Sequence, residues 1–457
     1  MRVSSLALAY CLASVFVGCG DDSRATPGSG SGGGATIGKA GSPGTGAATA
    51  ERPTPSSADP ATPEAFPNGL LLAYAQFVVE NGQVTARPGP ARLVLLRREG
   101  GEWVSRSIED PQSNVFHKAM VYTPQGGEPS ILTLGGMTAA VKLWREGDDG
   151  WSSRTLWTED FGGRFNRMRD AEVADLYGDG KPAIVVGTHD QGVVAVLRPG
   201  EGDSFDALRL DHQANTFIHE IEIGDLDGDG TLEVYATPSE PNTLEGGAQH
   251  GQVVRYVPRT QGRRTVVADL GNRHAKEILV ADVDGDGRDE LYVAVEALTE
   301  GSGQSIRIVE PVEIRRYDQG TPPDQGIRIA TINDRFTRFL TAGDLDGDGK
   351  DELVAAAFSS GLWLLEPGSN PRGEWSVESI DRESSGFEHA SVIADLDGDG
   401  RDELYVAADE QGEVRRYVWR DGRPRRETIY RRELPRSMMT WNIMPAPAFL
   451  LAPPAAR

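Results

Sequence analysis

From Asn68 onward the chain alternates short runs of apolar and β-branched residues with turns rich in Gly, Asp and Asn. Runs of four to seven residues with this alternation predict strands that have one neighbour on each face. Glu233–Ala236, Glu290–Val293, Glu352–Ala355 and Glu403–Val406 predict second strands, with Ala183–Val186 and Ser130–Thr133 in the same place in weaker units. Third strands, often carrying an aromatic, follow at Val141–Trp144, Val194–Leu197, Val253–Tyr256, Leu362–Leu365 and Val414–Tyr417. A more polar fourth strand closes each unit, as at Trp375–Ile380.

The pattern repeats with a period of about fifty residues, the mark of an array of supersecondary units. Complete units begin near Phe116, Phe165, Phe217, His274, Phe336 and Phe387. The chain ends supply a seventh. Leu70–Gln76, Leu93–Arg98 and Trp103–Glu109 predict second, third and fourth strands without a first, and Met438–Met444 predicts a first strand without successors. Joining them in one sheet closes a ring and leaves no long open edge. The expected fold is therefore all-β, a seven-bladed β-propeller whose terminal blade is shared by both ends. An open β-solenoid or several small sandwiches would leave the split unit unexplained.

Between first and second strands lies an acidic turn, clearest at Asp395-Leu396-Asp397-Gly398-Asp399-Gly400-Arg401-Asp402-Glu403. Acids at positions one, three and five point short carboxylates at one spot, and the glycines let the backbone bend around it. Position seven can add a carbonyl oxygen and position nine a last carboxylate. The candidate ligands are Asp225, Asp227, Asp229, Thr231 and Glu233; Asp282, Asp284, Asp286, Arg288 and Glu290; Asp344, Asp346, Asp348, Lys350 and Glu352; and Asp395, Asp397, Asp399, Arg401 and Glu403. All-oxygen sets rich in carboxylate favour Ca²⁺, about four ions in all, over zinc or copper. An EF-hand would need Glu at position twelve, where Ala236, Val293, Ala355 and Val406 stand, so that reading fails. The plain alternative is an Asp-Gly hairpin turn that binds nothing. A worn copy at Asp175 has Tyr177 and Ala183 in place of two acids, and no tight site is expected there.

Acidic turns between strands at this spacing resemble the FG-GAP/VCBS repeat family, known from integrin α-subunit propellers. The resemblance spans Asn68 to Arg457 and implies calcium loops on the lower face of the ring. It is nearly silent on activity, because relatives include adhesion modules, lyases, lipases and dehydratases. Phe161-Gly162-Gly163 echoes the family's name motif faintly.

Six residues before each turn stands a basic side chain: Arg169, His219, Lys276, Arg338 and His389, with His117 or Lys118 in the first full unit and Arg436 near the last. In a propeller these positions face the channel mouth. A cationic ring there would suit an anion such as a uronate, phosphate or carboxylate, an anionic glycan included. His219 and His389, with His117 or His274, could instead hold a transition metal or shuttle protons. Repeat descent with local ion pairing is the plain alternative.

The chain has 457 residues, with 46 basic against 69 acidic side chains and a formal charge of −23. That balance argues against nucleic-acid partners by bulk charge. Both cysteines, Cys11 and Cys19, lie near the start, so the propeller holds no disulfide or thiol nucleophile. Arg2, the apolar run Leu6–Val17 and Gly18-Cys19 have the shape of a lipoprotein signal, with Phe16 departing from the usual Leu. The expected organisation is a signal over 1–18, a Gly/Ser/Pro/Ala-rich tether over 19–67 and the propeller over 68–457. Lipidation at Cys19 would make the chain a secreted protein anchored to the bacterial envelope, at the outer membrane or cell surface, touching membrane through that lipid only. A binding or scaffold module, with an envelope protein as one partner class, is the expected function. The competing class is a lyase or hydrolase of an anionic carbohydrate at the channel mouth, although no catalytic elbow or phosphate loop is visible to support it.

Overall fold

The computed structural model describes residues 63–162, 166–241, 247–260, 263–301 and 305–453. The signal segment, Cys19, most of the tether, Gly163 and Phe165 lie outside the described residues. Apart from short helical turns, such as Ala448–Leu451 at the C-terminal end, the rest is strand and turn.

Six four-stranded antiparallel sheets are each built from consecutive segments. Blade 1 runs from Phe116 to Thr158, blade 2 from Met168 to His212, and blade 3 from Phe217 to Asp269. Blade 4 runs from Ala275 to Ile332, blade 5 from Thr337 to Asp381, and blade 6 from Ser391 to Arg431. Blade 7 takes its inner strand from Met438–Pro447, which pairs antiparallel with Asn68–Glu80 in the register Leu72↔Ile443. Ala91–Glu99 and Glu102–Asp110 complete it. Each inner strand packs beside the next, and Met438–Pro447 packs beside Phe116–Tyr122, so the ring closes with seven blades.

The physical reason for the order is visible in burial. Second and third strands are buried on both faces, as in Ala183–Thr188 and Glu352–Ala357, because each blade stacks on two neighbours. Fourth strands, such as Phe205–His212, are mostly exposed at the rim, which accounts for their polar sequences. Blade-to-blade cores are made of residues such as Ile184, Val186 and Leu134, with rings such as Tyr292 and Trp375 meeting edge to face at 5.8 Å between centroids. Two hairpins depart from the expected four strands. Asn68–Glu80 runs on past its blade and folds back with Gln83–Pro88, and Leu298–Glu300 pairs with Arg307–Glu310 inside blade 4. Both are short insertions at strand ends, where added length disturbs no core.

Candidate functional site

In four blades the turn between first and second strands gathers its acids. Asp225, Asp227 and Asp229 can each offer a carboxylate oxygen within 4.8 Å of the others, and so can Asp344, Asp346 and Asp348 and the trio Asp395, Asp397 and Asp399. In the fourth cluster Glu290 joins Asp282, Asp284 and Asp286. The backbone makes this possible. In the blade 6 turn, Gly398 and Gly400 have φ of 76° and 86°, which a side chain would resist. The position-one carboxylate then accepts the N–H groups of Asp399 and Gly400 at 3.2 and 2.9 Å. Asp225 does the same for Asp229 and Gly230. Thr231, Lys350 and Arg401, the position-seven residues, donate their own N–H to the position-five acid. Their carbonyl oxygens, with that of Arg288, would complete a set of oxygen ligands for a hard cation.

The position-nine acids behave differently from a simple fifth ligand. Glu233 is held by Arg255 at 2.7 Å and by the Tyr235 hydroxyl, and Glu403 by Arg416 at 2.5 Å and the Tyr405 hydroxyl at 2.8 Å. Glu290 is held by Arg316 and Tyr292, both at 3.0 Å. The same guanidinium reaches the position-three acid: Arg255 to Asp227 at 3.0 Å, Arg316 to Asp284 at 2.6 Å, and Arg416 to Asp397 at 2.6 Å. These arginines arrive on third strands, opposite the tyrosines in the registers Tyr235↔Arg255, Tyr292↔Arg316 and Tyr405↔Arg416. In blade 5 the matching pair is Val354↔Leu364. Among the described residues Glu352 there accepts only the Leu345 N–H, at 2.9 Å, and burial together with Asp346, Asp344 and Asp348 pushes its carboxyl up to about 8. Burial first, opposed by the arginine, leaves Glu233 at about 6 and Glu290 and Glu403 at about 7.

Neighbouring turns are also tied together. Asp289 accepts the Asp225 N–H at 2.8 Å, and Asp402 accepts the Asp344 N–H at 3.2 Å. The worn turn keeps the scaffold without the ligands: Asp175 accepts from Asp179 and Gly180 at 3.0 and 2.7 Å. Arg198 lies 4.3 Å over the Tyr177 ring and 2.8 Å from Asp179, a built-in cation beside the lost acids.

The channel mouth differs from a cationic ring. His117, Lys118, Arg169, His219 and Arg338 do line an axial cavity of ≈ 320 Å³, but acids are interleaved with them. Lys118 sits between Asp170 at 3.0 Å and Glu172 at 2.5 Å. Arg338 bonds Glu388 at 3.0 Å and Glu296 at 3.3 Å while packed between Phe336 and Phe387, and Arg169 reaches Glu388 at 3.5 Å. Lys276 and His274 both turn to Glu296, at 3.7 and 2.9 Å. Burial, with Arg338 beside it, lowers the Lys276 ammonium to about 7. Neither Lys276 nor His274 is among the residues lining the cavity, and two further expected members are elsewhere. His389 has φ +58°, and this local turn sends its ring into the protein, where it meets Ser384 Oγ and the Ala357 carbonyl, both at 2.7 Å. Glu388, not His389, faces the channel. Arg436 lies in a short helical turn before the closing strand and pairs with Glu410 at 3.2 Å. Basic residue type was visible in the sequence, whereas the acids one residue away were the signal for pairing.

A ring of blades with acidic turns at the junction of first and second strands defines the class: a seven-bladed β-propeller with acidic repeat turns. Within that class, the chain carries FG-GAP-like repeats, matched over 175–236 and 344–406. It is 24% identical over 283 residues to integrin alpha pat-2 of Caenorhabditis elegans, a match covering 51% of this chain and 22% of the integrin. It is 23% identical over 259 residues to the rhamnogalacturonan exolyase YesX of Bacillus subtilis, covering 47% of this chain and 41% of that protein. The chain thus spans well under half the length of these relatives. A solved protein from Lactobacillus plantarum superposes with a TM-score of 0.51 at 10% identity, covering 83% of this chain and 99% of that one, a likeness of fold. Among the described residues no helix is long and apolar enough to cross a membrane.

Proposed function

We propose that this protein is a calcium-binding β-propeller that serves as a binding or scaffold module at the bacterial envelope. The observation that carries the reading is the fourfold recurrence of three aspartates whose oxygens converge within 4.8 Å in strand-to-strand turns. Such a set suits a hard divalent cation, whose charge would relieve carboxylate repulsion and tie both ends of each turn. The cation's part is structural: it would stiffen one face of the ring, and the chain's own strands and loops would present the binding surface. Lipid on Cys19 followed by a Gly/Ser-rich spacer would hold that surface away from a membrane.

The test is elemental analysis by mass spectrometry of the full chain purified without added metal or chelator. About four calcium ions per chain are expected, falling by one in Asp397→Ala. No bound calcium would refute the reading. Mass analysis of the N-terminal peptide should find a diacylglyceryl-modified Cys19, and an unmodified residue would remove the anchor.

A second reading, a lyase of an anionic polysaccharide, is favoured by the likeness to rhamnogalacturonan lyases. The pairing of Lys118, Lys276, Arg169 and Arg338 with nearby acids weighs against it, since those cations already have counter-ions. Release of unsaturated ends from rhamnogalacturonan would decide in its favour.

A further inference from the structure

The axial channel has an acidic wall that the turn clusters do not use. Asp170, Glu172, Glu220, Glu222 and Glu277 line it from the inner strands of blades 2, 3 and 4, and one ammonium, Lys118, is inserted among them. Asp170 also accepts the Ile221 N–H, and Glu277 the Leu340 N–H at 3.0 Å, so these two acids help to bind neighbouring blades. Among the described residues, no basic side chain lies within ion-pair distance of Glu220, Glu222 or Glu277. Burial and mutual repulsion push all three carboxyls well above their usual range. Apolar Leu279, Phe339, Val392, Ile443 and Met444 also line the cavity, as do Arg169 and Arg338, which both pair with Glu388.

An independent observation comes from the imidazoles. The register of the blade 3 inner strand shifts between Ile218 and Ile221, and both His219 and Glu220 line the lumen. His219 is 2% exposed, and neither of its ring nitrogens has a hydrogen-bond partner. His117 Nε2, also lining the cavity, is without one as well. Burial and the adjacent cations hold both rings neutral, so each keeps a lone pair able to accept a hydrogen bond. A buried polar atom left unpaired costs about 1–3 kcal/mol, which a donor in the channel would recover.

We propose that the channel binds a primary ammonium group carried on a short aliphatic body. The ammonium would lie against Glu220 and Glu222 and donate to His219, with the body along Leu279, Phe339 and Val392. Three N–H donors match two carboxylates and an imidazole, and the cavity of ≈ 320 Å³ is of the size that small organic ligands occupy. A bare divalent ion fits less well: among the described residues the carboxylate groups that converge within 4.8 Å are those of the turns, with no channel trio among them. An anion fits poorly beside Glu220, Glu222 and Glu277, because the lining cations Lys118, Arg169 and Arg338 are already paired with other acids. The site would be separate from the turns and independent of what they hold.

The test is isothermal titration of the full, calcium-equilibrated chain with n-pentylammonium, and with pentanoate as the anionic counterpart of the same body. Pentylammonium should bind and pentanoate should not. The double variant Glu220→Gln/Glu222→Gln should bind pentylammonium at least tenfold more weakly. Its ligand-free melting temperature should equal or exceed the parent's, because repelling carboxylates are removed, which establishes that it folds. Should the variant unfold, His219→Phe provides the second measurement, with the same weakening expected. No pentylammonium binding, equal binding by the folded variant, or preference for pentanoate would each overturn the proposal. Displacement of pentylammonium by added Ca²⁺ with one further ion bound would overturn it in favour of a metal site.

Discussion

Arg416 offers the sharpest test of how the acidic turns work. Its guanidinium sits between Asp397 and Glu403, at 2.6 and 2.5 Å, with the arginine and Glu403 both almost wholly buried. Arg416→Met keeps much of the aliphatic stem and removes the charge. Breaking a buried ion pair from one side costs about 3–5 kcal/mol, because the partner is left uncompensated. That full cost is expected in chelator, where nothing else neutralises Asp397 and Glu403. With calcium in the turn, a divalent charge near Asp397 replaces part of what the guanidinium supplied, and the cost should fall to about half. The difference, about 2 kcal/mol, is the coupling between arginine and ion, and by linkage it corresponds to roughly thirtyfold tighter calcium binding in that turn. The assay pairs melting curves in calcium and in chelator with a calcium titration. The gap between the two melting temperatures should widen in the variant. An equal loss of stability in both conditions, with unchanged calcium affinity, would refute the view that Arg416 acts as a resident counter-cation.

The blade 5 turn supplies the converse: Leu364→Arg places a guanidinium opposite Val354, and should weaken calcium binding there roughly tenfold as read in a titration, the reverse of the coupling above. His389 sets an acid limit on stability. Burial lowers its imidazole to about 4, below the unfolded value near 6.5, so the unfolded chain takes up the proton first as pH falls. Stability carried by the neutral ring is intact above pH 6.5 and is lost between 6.5 and 4, at up to about 1.4 kcal/mol per pH unit. His389→Asn, an amide that tolerates the positive φ, should remove one proton's share of that slope in unfolding measured across this range, and an unchanged slope would contradict the assignment. Ring closure is testable by ending the chain after Ser437. Loss of Met438–Pro447 bares the edge of Asn68–Glu80 and opens the buried contacts of Ile443, so size-exclusion should show aggregation rather than a monomer. A monomer with the parent's melting temperature would show that closure contributes little.

Much of the architecture is local in origin. Strands, turns and the period of the repeat arise from alternation and turn chemistry, which act over a few residues and are legible as such. The shared seventh blade was legible too, because a unit lacking its first strand at one end and a lone first strand at the other have one economical arrangement. The three aspartates of each turn come together through glycine geometry within nine residues. What the tertiary structure decided is who neutralises whom. Arg255, Arg316 and Arg416 are remote in sequence from their acids and meet them only through the pairing register of second and third strands. Asp289 and Asp402 bridge different blades for the same reason. At the channel, a positive φ at His389 exchanges a histidine for Glu388, reversing the sign of charge at one position. Charge pairing depends on distances of a few ångströms, set within a blade by strand register and between blades by how the ring stacks them.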